Sequence, residues 1–185
     1  MKSNDFPDAD GIADKLYDFA LGLSEIPTSI AGDGQRAYHR KIMETFNFDF
    51  HCHVFWSGEK VFDWVIPYEW TLNDASLCNI DGSVEVDLMD SPLRIASHSD
   101  SVSIDLSLEE IKKKCFTDPS RPDAILYSTM YYSTGYGFSL KYNELKNLNS
   151  VAYKLNISTT KTKGYLSILD AFIEGSSKKE IVISS

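Results

Sequence analysis

At 185 residues the chain has room for one domain, or one domain with a modest insertion, and its 43% apolar and 12% aromatic content is that of a folded protein with a sizeable core. A formal net charge of -9, from 18 basic and 27 acidic residues, argues against nucleic acid and anionic membrane as partners, because no basic patch is left to hold phosphates. No run reaches the ~18 to 20 apolar residues that span a bilayer, and Met1 to Asp5 lack the apolar core of a signal peptide, so a cytoplasmic location is expected. Cys52, Cys78 and Cys115 are odd in number and widely spaced, which reads as buried free thiols and not as a disulfide framework or a zinc site.

Two helices are predicted first. Asp10 is placed to cap a segment in which Ile12, Leu16, Phe19, Ala20 and Leu23 recur at helical spacing, and Pro27 ends it. The second follows Gly32-Asp33-Gly34, with Asp33 as N-cap and Ala37, Tyr38, Met43 and Phe46 for its buried side. From Phe48 the period becomes two: Phe48, Phe50, Cys52, Val54 and Trp56 share one face of a strand, and Asp49, His51, His53 and Phe55 share the other.

Ser57 to Lys60 reads as a turn and Val61 to Ile66 as a single strand stopped by Pro67. Trp70 to Cys78 and Ser83 to Leu88 form a hairpin around Asp81-Gly82. Val102, Ile104 and Leu106 alternate in a further strand, and Ser107-Leu108-Glu109-Glu110 is a capping box that opens a helix to about Cys115. Ile125 to Ser128 and Tyr136 to Leu140 read as strands around a tyrosine-rich bend, and a helical turn covers Tyr142 to Leu148. Strands are then expected from Val151 to Ile157, Tyr165 to Ile173 and Glu180 to Ser184.

Several residue groups invite a chemical reading. Asp49, His51 and His53 share a strand face on which two histidines at i and i+2 can turn toward one metal, yet no further ligand can be placed, and an exposed polar face explains them as well. Neither His39 nor His98 has neighbours that define a site. Gly32, Asp33, Gly34 and Arg36 have the form of an anion-binding turn at a helix start, but lack a phosphate-loop pattern and read as a structural turn, with an Asp33–Arg36 pair as a further possibility. Ser97-His98-Ser99-Asp100 has the letters of a nucleophile site without the strained elbow that exposes a hydroxyl. Asp63, Trp64, Glu69 and Trp70, with Tyr131 and Tyr132, are the candidate ligand contacts, their aromatic faces suited to a sugar or a peptide group. Core tryptophans with acids at the edge are the alternative.

Three landmarks in order carry a resemblance: Ser29-Ile30-Ala31-Gly32-Asp33-Gly34-Gln35-Arg36, then Val61-Phe62-Asp63-Trp64-Val65-Ile66-Pro67-Tyr68-Glu69-Trp70, then Pro122 to Tyr127 with Tyr131-Tyr132 and Gly137-Phe138-Ser139-Leu140. Together they resemble a bacterial zinc aminopeptidase-like family in which a β-rich domain interrupts a peptidase fold with co-catalytic zinc. Ala31 stands where the family has Thr, Ile66 where it has Val, and Tyr136 where Trp is common.

The resemblance implies an α+β chain: N-terminal helices and peripheral sheet strands of a zinc-peptidase-like α/β fold, interrupted by an antiparallel β-sandwich or jelly-roll-like domain. The expected divisions are residues 1–56, the inserted domain 57–140, and return strands 141–185. It implies hydrolysis by a metal-activated water in full-length members, but the family's ligands follow a Cys-His-Pro loop that has no counterpart up to Ser185. The expectation is therefore an N-terminal portion with no catalytic residue, no metal ligand and no cofactor of its own, inactive alone. Alternatives are a β module that binds peptide or carbohydrate, or a structural half completed by a separate chain. Self-association through an exposed sheet edge is also expected.

Overall fold

A computed structural model describes residues 9–184, so the reading of Met1 to Asp5 lies outside the described residues. Two helices open it, α1 (Ala9–Ser24) and α2 (Asp33–Thr45). The strands β1 (Phe50–Trp56), β2 (Lys60–Val61), β3 (Trp64–Val65), β4 (Glu69–Asn79), β5 (Val84–Asp87) and β6 (Val102–Ser107) follow. After α3 (Leu108–Lys114) come β7 (Cys115–Phe116), β8 (Phe138–Ser139), α4 (Tyr142–Asn147), β9 (Ala152–Thr162) and β10 (Tyr165–Ala171).

The centre is a four-stranded antiparallel sheet in the order β5-β4-β9-β6. Its register sets Leu77 opposite Leu155, Ala75 opposite Ile157 and Leu106 opposite Tyr153, so the apolar residues of three strands share one face. All six are buried there, joined by Val86 of β5, Ile111 of α3, Leu145 of α4, and Leu88, Ile95 and Phe138. The other face carries Ser76 opposite Asn156, Lys154 opposite Asp105, and Ser103, all polar. This alternation is that of a sheet with one face in the core and one in water. The buried face of this sheet is covered by α3 and α4, by β8 and by the irregular segment from Leu88 to Ser99. β9, from the stretch beyond residue 140, sits between β4 and β6.

A second unit is a two-stranded antiparallel ribbon of β1 and β10, with Val54 opposite Ser167 and Phe50 opposite Ala171. α2 lies against it, where Gln35 both donates to the Ser167 carbonyl at 2.9 Å and accepts from its backbone N–H at 3.1 Å. A small cluster of Ala31, Ile66 and Leu166, with Ile30, Phe55, Val61 and Trp64 around it, joins the ribbon to the α1–α2 connection.

Several expected boundaries move. Helix α1 runs Ala9–Ser24, so Asp10 is inside it and is not its cap; of its apolar positions Leu23 is buried, while Ile12, Leu16 and Ala20 face solvent. The expected buried side of α2 is only partly covered: Ala37, Tyr38 and Phe46 are half-buried and Met43 is exposed. Gly32, not Asp33, holds the N-cap position of α2. Val61 to Ile66 is not one strand but the short β2–β3 hairpin, turned at Phe62, whose φ of 57° lies in the left-handed region. Ile125 to Ser128 makes no ladder, β10 stops at Ala171, and residues 180–184 pair with nothing among the described residues. Cys52 is exposed, while Cys78 and Cys115 are half-buried; all three are free. The Ser107–Glu110 capping box forms as read, with Glu110 N donating to Ser107 Oγ and Ser107 N donating to the Glu110 carboxylate at 2.8 Å. No helix among the described residues is long and apolar enough to cross a membrane.

Arg94 holds the irregular cover to α4. Its side chain is fully buried and forks to Asp90 (2.7 and 2.8 Å) and Glu144 (2.6 and 2.9 Å), four hydrogen bonds in a planar donor geometry that only a guanidinium supplies. Burial alone disfavours the charge, and the hydrogen bonds to Asp90 and Glu144 outweigh it, so the Arg94 pKa is raised. Replacing Arg94 by Ala leaves both carboxylates without their partner and opens the core. The expected loss, on the order of 3–5 kcal/mol, is read from urea denaturation midpoints.

Candidate functional site

The Gly32–Arg36 turn and the Glu69-Trp70 pair, separated by more than thirty residues in sequence, meet in space. Gly32 has φ 128°, a conformation that favours glycine, and the position where a Cβ would stand is 3.5 Å from the Trp70 carbonyl. A Cβ on Gly34 would lie 1.9 Å from the Pro27 carbonyl, so only glycine fits. This close approach brings Arg36 to Glu69: Nη1 donates to Oε1 at 2.6 Å and Nη2 to Oε2 at 2.9 Å. Nη2 also donates to Asp33 Oδ1 at 2.7 Å, so the Asp33–Arg36 pair suggested by the sequence forms.

Glu69 Oε1 in addition accepts the Tyr165 N–H at 3.0 Å, and the Arg36 guanidinium lies 4.9 Å from the centroid of the Tyr165 ring. The Arg36 hydrogen bonds hold the Glu69 carboxyl below its usual range, against the opposing effect of burial, and Glu69 in turn raises the Arg36 pKa. Four of the five guanidinium N–H groups are thereby engaged by Asp33 and Glu69, and the turn is a clamp rather than an anion site.

Trp70 and Tyr131 meet around His98. The Trp70 indole N–H donates to the Ser99 carbonyl at 2.9 Å, and its ring stacks 6.2 Å from the His98 ring. Tyr131 meets His98 edge-on at 4.6 Å, and its hydroxyl accepts from Ile30 N at 3.1 Å and from Ser97 Oγ at 3.0 Å. Tyr132 extends from Tyr131 into solvent. Trp64 and Asp63 are elsewhere: Trp64 packs on the Ala31–Ile66–Leu166 cluster, and Asp63 is exposed at the β2–β3 tip. Of the six candidate contacts, Glu69, Trp70 and Tyr131 therefore gather at one junction.

The Ser97–Asp100 run is no nucleophile site. Ser99 Oγ donates to the Ala96 carbonyl at 2.6 Å, Ser97 Oγ is used by Tyr131, and His98 Nε2 donates to the Tyr68 carbonyl at 3.1 Å. His51 Nε2 lies 3.9 Å from Asp49 and His53 Nε2 lies 2.7 Å from Asp170, across the ribbon. Among the described residues no group of three or more His, Cys, Asp or Glu is placed to hold a metal ion, so this set does not fit zinc.

Sequence reasoning missed the cleft that this junction borders. It has a volume of about 700 Å³ and runs between the α1–α2 connection and the start of β4, with Leu23, Ala31, Tyr38, Trp70, Leu72 and Tyr127 in its walls. Its parts come from four separate stretches of chain, so no local pattern announces it. The glycine spacing at Gly32 and Gly34 was the one available signal of a close approach.

These features define an α+β unit in which a one-faced antiparallel sheet meets two helices over an aromatic junction. Residues 69–160, which include the four-stranded sheet except the last two residues of β9, match the family described as "Domain of unknown function (DUF2172)". A Clostridium acetobutylicum protein named "Putative polysaccharide biosynthesis protein with aminopeptidase-like domain" is 32% identical over 173 residues, a match covering 92% of this chain and 39% of that protein. A crystal structure described as a "putative peptidase" from Clostridium acetobutylicum has a TM-score of 0.73 at 32% identity, covering 85% of this chain and 37% of that one. The chain is thus related to peptidase-like proteins and spans well under half the length of these relatives.

Two outcomes follow. Gly34→Ala forces the α1–α2 connection apart and is expected to cost more than about 3 kcal/mol, whereas Gly22→Ala, with nothing within 4 Å of its added methyl, is expected to stabilise α1 by about 0.5–1 kcal/mol; urea unfolding of the two variants checks both. Burial lowers the pKa of His98, with Lys161 acting in the same direction, and burial lowers that of His39. Above the ordinary histidine value of 6.5 both rings are neutral folded and unfolded; below it the unfolded chain takes up protons that the folded chain refuses. Stability is therefore expected to fall as pH drops from 6.5 toward the folded values. His98→Asn, which tolerates the left-handed backbone at φ 67°, is expected to flatten that dependence in urea midpoints measured from pH 7.5 to 5.5.

Proposed function

We propose that the chain is the N-terminal portion of an aminopeptidase-like zinc hydrolase, in which α1, α2 and the β1–β10 ribbon are a platform for the metal-binding half and the DUF2172 sheet is the inserted domain. The observation that supports this most is where apolar side chains stay uncovered. The sheet hides most of its own, with Val84 and Ile104 the exceptions, whereas Leu16, Val54, Trp56 and Ile168 on α1 and the ribbon are exposed, as are Ile181, Val182 and Ile183 beyond it. A ribbon with two open edges and apolar residues on both faces is the periphery of a larger sheet, as a zinc-peptidase-like fold would supply. The relatives' names and their greater length support the same reading.

In such a protein bound zinc would supply an activated water for amide hydrolysis; the residues described here take no part in that step and serve to orient and cover. By itself the chain is inactive and associates weakly through the ribbon edges. Purified chain supplemented with zinc is expected to leave leucine p-nitroanilide uncleaved, and the double variant Val54→Thr with Ile168→Thr is expected to lower self-association in sedimentation velocity while changing stability by less than about 1 kcal/mol. Zinc-dependent cleavage lost in His51→Ala, or a large stability loss in the double variant, overturns the reading.

A further inference from the structure

The cleft beside Trp70 serves neither the Arg36 clamp nor the exposed ribbon. We propose that it is a docking site for an apolar peptide side chain whose neighbour in the peptide is positively charged. Its size, about 700 Å³, is within the range of ligand sites. Its apolar surface comes from Leu23, Ala31, Leu72, Ile95 and Trp70. These walls are set before any ligand arrives: the Trp70 indole is tied to Ser99, Gly34 is wedged under Pro27, and Ile30 N is tied to the Tyr131 hydroxyl. Preorganisation of this kind removes part of the entropy cost of binding.

Charge decides what accompanies the apolar group. Among the described residues no Lys, Arg or His lines the cleft, and the one acidic lining residue is Asp33, whose side chain is 95% exposed at the lip. The nearby Arg36 is engaged by both Glu69 and Asp33, a cluster of two carboxylates and one guanidinium, so an ammonium on the ligand meets Asp33 Oδ2, the oxygen that Arg36 does not engage, and a carboxylate or phosphate meets an excess of negative charge. A chain of net charge -9 favours the same sign of partner at longer range. Of the hydroxyls that line it, those of Ser24, Ser29 and Ser97 donate to the Leu21 carbonyl, the Ala31 carbonyl and the Tyr131 hydroxyl, and those of Thr28, Tyr38, Thr71 and Tyr127 remain for one or two amide groups. A glycan would leave most of its hydroxyls unpaired there, which is costly.

The inference goes beyond the peptidase-like reading, and hydrolysis or zinc retention would leave its test unaffected. The test is calorimetric titration of the whole chain with acetyl-Leu-Leu-Lys-amide, acetyl-Leu-Leu-Glu-amide and maltotriose. One-to-one binding of the lysine peptide is expected, about five-fold tighter than the glutamate peptide, with no saturable heat from maltotriose. Ala20→Leu with Ala37→Leu, two substitutions by a good helix former that narrow the cleft, is expected to weaken the lysine peptide about ten-fold or more at unchanged thermal stability. Asp33→Asn is expected to erase the preference for lysine over glutamate while keeping the apolar binding, since Arg36 retains Glu69. Absence of saturable binding, equal affinity in the narrowed variant, preference for the glutamate peptide, or maltotriose binding as tight as the peptides overturns the proposal.

Discussion

The Arg36–Glu69 pair joins three stretches of chain that no local preference would bring together. Arg36 arrives on the first turn of α2, Glu69 on the first residue of β4, Tyr165 on the first residue of β10, and Gly164 is so close that a Cβ there would lie 2.1 Å from Glu69 Oε1. Glu69 is thus the single carboxylate that ties the helices to both the sheet and the ribbon. Its environment is half-shielded, so the two-pronged geometry counts for more than the bare Coulomb term. Removing it would leave Arg36 with only the exposed Asp33 and the Tyr165 N–H without its acceptor at the meeting point of both units.

Much of the sheet was legible because its strands alternate cleanly. β4, β6 and β9 each place apolar residues at every second position, and the Asp81-Gly82 turn and the Ser107–Glu110 box have local chemistry that needs no tertiary help. The β2–β3 hairpin was not legible: a left-handed Phe62 at its turn goes against the glycine or asparagine that normally marks one. The apolar spacing of α1 was correct as a helix, and the buried side expected of α2 is only partly covered, since periodicity reports which side is apolar and not whether anything covers it.

At the junction, the acids and aromatics of the Val61–Trp70 signature divide between two packing clusters. Trp64 belongs to the ribbon side and Trp70 to the sheet side, with Ala31 and its neighbours between them. Their closeness in sequence suggested one pocket, but the Pro67 segment turns the chain between them. The surroundings of His98, which had no site-defining neighbours in the sequence, were hidden for the opposite reason: Trp70 and Tyr131 are distant in sequence, and it is their rings, together with the Tyr68 carbonyl, that hold it in an uncommon backbone conformation.

The central position of β9 has a consequence for how the chain acquires its shape during synthesis. β4 and β6 do not touch; each waits for β9, which emerges from the ribosome more than forty residues after β6. Until then the β4–β5 hairpin offers its free edge and its apolar face to any other strand, and only α3 has local means to persist. The last-made strand is therefore the one that closes the sheet, and β10, a few residues on, fixes β1 from the opposite end of the chain. Order spreads backward from the C-terminal strands to the N-terminal ones, so a pause in translation before Ala152 prolongs the interval in which this polypeptide is most easily lost to aggregation.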